Sequence, residues 1–144
     1  IYYCFFINLA KSLTNQKLNY MNSQFTKLVR ILLGIILLVF GLNKFLNFIP
    51  LPELPENAGK FMNSLIETGY VLKLVGALEV IIGALLISKK WTAFALILLA
   101  PISINILLFH VFLDLPGLSV ALLISVLNGI LIYKHWPQYT PLFN

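Results

Sequence analysis

Four long runs of hydrophobic residues dominate the chain, and short polar or proline-containing segments separate them. The runs cover residues 31–48, 71–88, 91–113 and 118–133. Because about 20 apolar residues in a helix cross the hydrocarbon core of a bilayer, each run is a candidate transmembrane helix. The pattern predicts an all-α integral membrane protein in which short connections arrange the four spans as an antiparallel four-helix bundle.

The connection between the first two spans contains a fifth, shorter element. Residues 50–55 include three prolines, which exclude a helix because proline lacks the backbone N–H group. Polar and apolar residues then alternate at helical spacing over residues 58–70. One face of this segment carries Phe61, Met62, Leu65 and Ile66. Amphipathic helices of this kind are typical of the membrane interface, so a short interfacial helix is expected here.

Composition narrows the class of protein. Of the 144 residues, 60% are hydrophobic and 10% are charged, whereas soluble chains are about 25% charged. This composition excludes an ordinary soluble enzyme and a disordered tail. Cys4 is the single cysteine, which excludes an intramolecular disulfide and a Cys-x-x-Cys redox pair. The lipid bilayer is therefore the main expected partner.

The positive charges indicate an orientation in the membrane. The net charge is +5, but the cations form neither a dense run nor a basic helix face, so nucleic acid is not an expected partner. Seven of the ten cations flank the spans on one side: Lys11, Lys17, Lys27, Arg30, Lys89, Lys90 and Lys134. Cytoplasmic segments carry an excess of Lys and Arg, so both termini are expected to face the cytoplasm.

The chain divides into an N-terminal extension (residues 1–26), a single membrane domain (27–136) and a C-terminal tail (137–144). It starts without methionine, whereas Met21 precedes an ordinary polar lead into the first span. We therefore expect that residues 1–20 are not native to the protein or are dispensable. A genuine interfacial helix at this position is the alternative.

Polar residues within the spans are the candidates for a functional site, because each must be satisfied by protein or water. Lys44, Glu79, Asn105 and His110 all fall in the outer half of the predicted membrane. Structural roles compete for three of them, since Asn105 can join helices, His110 can close a helix end and Lys44 can extend towards the headgroups. Glu79 is the hardest to explain in that way, because a carboxylate within a span costs about 3 kcal/mol.

Two stripes of small residues each carry one of these charges. The stripes are Gly34, Gly41 and Lys44 in the first span and Gly76, Glu79 and Gly83 in the second. Small residues let helices approach closely, so both stripes are expected to face the bundle. Lys44 and Glu79 would then form an ion pair, although a neutral Glu79 is the alternative at this point.

Familiar catalytic sites are missing from the sequence. The two histidines, His110 and His135, are expected on opposite sides of the membrane, so no metal site is predicted. Neither a phosphate-binding glycine loop nor a Ser-His-Asp arrangement is recognisable. No catalytic residue is assigned, and the chain is at most an oxidoreductase-associated subunit.

Several segments resemble the DoxX family of small bacterial membrane proteins. They are RILLGIILLVFGLNKF (30–45), FIPLPELPENAGKFMNSLIETGY (48–70), LVGALEVIIGALLI (74–87) and LAPISINILLFHVFLD (99–114). The resemblance implies a four-helix protein of the bacterial inner membrane, and relatives have been linked to quinone oxidoreductases and oxidative-stress defence. On the same resemblance, the inner polar site comprises Asn43, Lys44, Glu79, Asn105 and His110.

Two functions remain open at this stage. The first is an accessory or quinone-interacting subunit of a membrane redox system, with redox proteins as partners and Glu79 or His110 handling protons. A quinone is the cofactor that this hypothesis requires. The second is a non-enzymatic small-molecule carrier, or a scaffold for a partner protein. The glycine stripes are equally suited to a homo-oligomer.

Overall fold

The computed structural model describes the backbone of residues 2–50 and 53–143 and the side chains of residues 22–50 and 53–143. The α-helices are α1 (Tyr2–Leu46), α2 (Glu56–Glu67), α3 (Val71–Ser88), α4 (Thr92–Phe112) and α5 (Leu118–Lys134). The described residues contain no strand, which confirms the all-α prediction. The side chains of residues 1–20 lie outside the described part of the chain. The expectation that these residues are non-native or dispensable stays a prediction, as do the proposed domain boundaries.

Four of the helices are long and apolar enough to cross a membrane. They comprise Asn22–Leu46, Val71–Ser88, Thr92–Phe112 and Leu115–Lys134. At 1.5 Å per residue, the 21 residues of α4 extend over about 32 Å, close to the thickness of the hydrocarbon core. The four predicted spans are therefore confirmed, as is the short helix between the first two.

The first span differs in its boundaries from the prediction. The span begins at Asn22 rather than Ile31, because no proline or glycine interrupts the helix over residues 22–30. The helix ends at Leu46 rather than near Phe48, since Asn47 adopts a left-handed backbone conformation with φ of 49°. Hydrophobic patterning misses such ends because polar residues can continue a helix into the interface.

Leucine and isoleucine side chains fill the centre of the bundle. α1 packs mainly against α3 and α4 mainly against α5, while smaller contacts join α1 to α5 and α3 to α4. The core includes Leu33, Leu86, Leu99 and Leu131, all fully buried. The outward faces are also apolar, as Ile81 at 53% exposure illustrates. A helix that is hydrophobic on all sides is typical of a membrane span.

A tight connection joins α3 to α4 at the end of the bundle that carries most of the cations. Lys89 and Trp91 both have left-handed backbone conformations, with φ of 59° and 50°. The nearby Arg30 is buried and donates hydrogen bonds to the carbonyls of Leu86 and Ile87. These carbonyls belong to the last turn of α3, where oxygens lack partners within the helix. Arg30 thus anchors α1 to the end of α3.

The C-terminal tail packs back onto this same end. Short 3-10 turns form at Trp136–Gln138 and Thr140–Leu142. Tyr139 is buried, and its hydroxyl donates a 2.9 Å hydrogen bond to the carbonyl of Ala93 at the start of α4. Burial raises the pKa of Tyr139, because it disfavours the charged phenolate.

The short helix α2 covers the opposite, proline-rich end. Ala58 is fully buried there, and the ring of Phe61 lies 5.7 Å from the ring of Phe109 in α4. The apolar face is only partly covered, since Phe61 and Ile66 remain 45% and 58% exposed. This exposed apolar surface suits the membrane interface predicted for α2.

Candidate functional site

Glycines let α1 and α3 approach each other closely. A Cβ atom added at Gly83 would lie 2.8 Å from the carbonyl oxygen of Gly34. Two turns further along α1, a Cβ atom at Gly41 would lie 2.9 Å from the carbonyl oxygen of Gly76. Real Cβ atoms do not approach oxygens so closely, so only glycine permits this packing. The prediction that both glycine stripes face the bundle is confirmed.

Lys44 and Glu79 lie at one end of this glycine contact. The Nζ atom of Lys44 is 2.6 Å from Oε2 of Glu79, so the two side chains form an ion pair and a hydrogen bond. The Glu79 side chain is 2% exposed, whereas that of Lys44 is 25% exposed. The predicted pair is therefore present, with its carboxylate inside the bundle and its ammonium group at the edge.

Gly41 makes room for this buried carboxylate. A Cβ atom at position 41 would lie 3.0 Å from the Cβ atom of Glu79. A larger residue there would displace Glu79 and with it the partner that Lys44 requires. The glycine stripe therefore determines where the buried charge can sit.

The second oxygen of the carboxylate is left without a hydrogen bond in the part of the chain that the structure describes. Lys44 bonds to Oε2, and no described donor reaches Oε1. An ionised carboxylate has about four acceptor sites, and a buried ion pair needs most of its hydrogen-bonding capacity satisfied. Glu79 thus retains the capacity to accept a hydrogen bond from a ligand or a water molecule.

Asn43 has a different role from its neighbour Lys44. Its side chain is buried and makes two hydrogen bonds with the backbone of Ile49. Oδ1 accepts a bond of 2.7 Å from the Ile49 N–H group, and Nδ2 donates one of 3.2 Å to the Ile49 carbonyl. Asn43 therefore holds the chain where it leaves α1 and enters the proline-rich connection.

His110 forms its own pair with a residue outside the predicted site. Its Nδ1 atom lies 2.8 Å from Oδ2 of Asp114, and both side chains are largely buried. A Cβ atom at Gly117 would meet the outer atoms of both side chains, so a larger residue there would displace the pair. The spacing of four residues between His110 and Asp114 was the available signal for this contact. The pair fixes the connection between α4 and α5.

Asn105 lies on an exposed face of α4. Its Nδ2 atom donates a 2.9 Å hydrogen bond to the carbonyl of Pro101, one turn earlier in the same helix. Among the described residues, no hydrogen bond or ion pair connects Asn105 or His110 with Lys44 or Glu79. Of the five residues expected to form one site, the structure pairs two and gives the other three separate, local partners.

A second polar cluster joins α4 to α5. Asn128 donates a 3.3 Å hydrogen bond to the hydroxyl of Ser103, and Ser125 donates one of the same length to the Ser103 carbonyl. Asn128 is 2% exposed, and its Oδ1 atom has no partner among the described residues. Ser125 and Asn128 therefore both make hydrogen bonds between α5 and α4.

Comparison with known proteins identifies the family. The DoxX family model matches residues 25–111, which is more than half of the chain. The match begins in α1 and ends in α4, so it includes the glycine contact, the Lys44–Glu79 pair and His110. Searches of curated proteins and of solved structures found no match. With its four apolar helices and this match, the chain is a multi-pass membrane protein that belongs to the DoxX family.

Proposed function

We propose that the chain is an accessory subunit of a membrane redox system and that it binds a quinone at the Lys44–Glu79 pair. The observation that carries this proposal is a buried carboxylate with one oxygen free to accept a hydrogen bond, next to a partly exposed ammonium group. In this proposal the protein lies in a bacterial inner membrane with both termini in the cytoplasm.

The chemistry of a quinone suits such a pair. Reduction to the hydroquinone takes up two electrons and two protons, and oxidation releases them. In the proposed site, Lys44 Nζ donates a hydrogen bond to a quinone carbonyl oxygen, and Glu79 accepts the proton of a hydroquinone hydroxyl group. A redox protein of the same membrane supplies or removes the electrons, so this chain contributes binding and proton transfer.

Burial explains why this site requires a pair. A lone carboxylate within a membrane span is costly, whereas a pair with Lys44 is formally neutral. A neutral pair can hold a neutral, lipid-soluble ligand without adding charge to the hydrocarbon region. In this proposal the ligand enters from the side of Lys44, which is the more exposed member of the pair.

A binding measurement tests the proposal. The full chain in nanodiscs is titrated with decylubiquinone, and Glu79→Gln is compared with the wild type. We expect binding to weaken on the order of tenfold or more, because a hydrogen bond to a charged group is lost. Unchanged affinity would overturn the proposal.

The chain supplies a matched control for this experiment. Glu56 and Lys60 form an ion pair with the same 2.6 Å separation as Lys44 and Glu79, but both side chains are exposed. Glu56→Gln removes the same charge at a surface position and should leave decylubiquinone binding unchanged. A second control, the unfolding temperature in nanodiscs, separates loss of binding from loss of folding.

A scaffold role is the second candidate, and the glycine contact favours it. Gly41 and Gly76 bring the backbones of α1 and α3 together beside Glu79, so the ion pair can serve to lock these helices in register. The scaffold then presents a fixed surface to a partner protein. This candidate predicts that Glu79→Gln lowers the unfolding temperature and that the wild type does not bind decylubiquinone.

A further inference from the structure

A large pocket opens at the end of the bundle opposite the proline-rich connection. Its volume is about 990 Å³. The described residues that line it come from the start of the first span, the connection between α3 and α4, and the C-terminal end of α5. We call it the basic pocket, because Lys27, Arg30, Lys89 and Lys134 are among these residues.

The positive charge of the basic pocket has no counterpart on its walls. None of the described lining residues is an aspartate or a glutamate. In the part of the chain that the structure describes, Lys27 and Lys89 form no ion pair. Like charges that converge on one cavity repel each other, and a bound anion removes this repulsion.

The N-terminus of α4 lies in the same wall. Residues 91–94 line the pocket. Trp91 directly precedes α4, and residues 92–94 belong to its first turn. The N–H groups of a first turn lack partners within the helix, and no described side chain caps them here. Such a turn favours an anion through both its N–H groups and the helix dipole.

An unpartnered hydroxyl provides independent support. Thr92 is 8% exposed and lines the basic pocket. Its Oγ1 atom has no hydrogen-bond partner among the described residues. Buried hydroxyl groups are nearly always hydrogen-bonded, so this unpartnered one beside the pocket can take a ligand as its partner.

We propose that the basic pocket binds a phosphate-type oxyanion, held by Lys27 and Lys89, the first turn of α4 and the hydroxyl of Thr92. Arg30 adds charge while it continues to bond to the end of α3. The source of the phosphate is either the headgroup of an anionic lipid or a soluble phosphate. Basic pockets between membrane helices commonly hold anionic headgroups, and the volume is sufficient for one.

The test uses the full chain in phosphatidylcholine nanodiscs and measures its unfolding temperature. One series adds phosphatidylglycerol, and the other adds inorganic phosphate at constant ionic strength. A ligand that binds the folded protein raises the unfolding temperature. A rise with phosphatidylglycerol alone supports a lipid headgroup, and a rise with inorganic phosphate supports a soluble ligand. No rise in either series would overturn the proposal.

Two adjacent lysines provide a matched pair of variants. Lys89 lines the basic pocket and Lys90 does not, although both are exposed and lie in the same connection. The anion that raises the unfolding temperature of the wild type is then titrated against both variants. We expect Lys89→Gln to need about fivefold to tenfold more anion for the same rise, and Lys90→Gln to need the same amount as the wild type. Equal effects of the two variants would show a general surface attraction and overturn the proposal.

Thr92→Val separates anion binding from folding, because it should stabilise the protein without anion and weaken the stabilisation by anion. It keeps the branched shape but removes the unpartnered hydroxyl, so the protein without anion should unfold at a higher temperature. The rise caused by the anion should become smaller, and Thr92→Ser should restore it. A full anion response in Thr92→Val would overturn the assigned role of the hydroxyl. The result does not depend on quinone binding, which is proposed for the opposite end.

Discussion

Two contacts hold this bundle together in different ways. Between α1 and α3, glycines bring the backbones together and a buried ion pair of 2.6 Å lies beside them. Between α4 and α5, Ser103, Ser125 and Asn128 form neutral hydrogen bonds of about 3.3 Å. Lipid removes most of the hydrophobic driving force between helices, so both contacts depend on packing and polar bonds. At the first, the glycine positions leave no room for a Cβ atom, whereas the second involves no such glycine. Each contact leaves one side-chain oxygen without a described hydrogen bond.

The largest effect is expected from breaking the ion pair on one side. Lys44→Met leaves the Glu79 carboxylate buried without its partner, which should destabilise the fold by about 3 kcal/mol. Reversible unfolding in detergent or nanodiscs measures this change. Lys60→Met is the control, because its exposed pair with Glu56 should contribute less than about 1 kcal/mol. Similar effects of both variants would contradict the special status of the buried pair.

The glycine contact should tolerate no added methyl group. We expect Gly83→Ala to cost about 1 to 3 kcal/mol, because its Cβ atom would lie 2.8 Å from the Gly34 carbonyl oxygen. Gly129 in α5 is the matched control, since no atom lies within 4 Å of a Cβ atom placed there. Gly129→Ala should stabilise the protein by about 0.5 kcal/mol through the greater helix propensity of alanine. If the two variants changed the free energy of unfolding in the same direction, this comparison would be contradicted.

A smaller effect is expected at the contact between α4 and α5. Asn128→Leu removes one hydrogen bond to Ser103 but also removes an amide oxygen that lacks a described partner. These changes oppose each other, so the free energy of unfolding should change by less than about 1 kcal/mol. A loss as large as that of Lys44→Met would show that both contacts are equally demanding.

The smallest effect is expected for Asn105→Ala. Asn105 is exposed, and its hydrogen bond goes to Pro101 of its own helix, so stability should change by less than about 0.5 kcal/mol. Decylubiquinone binding should also be unaffected. If Asn105→Ala bound decylubiquinone more weakly at unchanged stability, Asn105 would belong to the binding site, as the sequence predicts.

Sequence patterning predicted the helices well, because their physical causes are local. Runs of apolar residues gave the four spans, and the proline-rich segment separated the short helix from the first span. Glycine spacing also placed Lys44 opposite Glu79, since residues three and four apart share a helix face. The same reasoning failed to predict the separate partners of Asn43 and Asn105, because each bonds to a nearby backbone group.

The basic pocket had no signal in the sequence analysis. Lys27, Lys89 and Lys134 are far apart in the chain and were interpreted only as indicators of orientation. The fold brings them to one cavity because the start of the first span and the C-terminal ends of α3 and α5 lie on the same side of the bundle. Thr92 lines the same pocket because the first turn of α4 lies in its wall.

The sequence by itself determined the class of the protein, its four spans and the glycine stripes that carry a charge. Hydrophobicity and helix periodicity depend on neighbouring residues, and therefore they can be read directly along the chain. Only the tertiary structure decided which polar groups meet, which carboxylate oxygen has no described partner and where the cations form a pocket. These properties depend on distances between residues that are remote in sequence, and helix packing sets those distances.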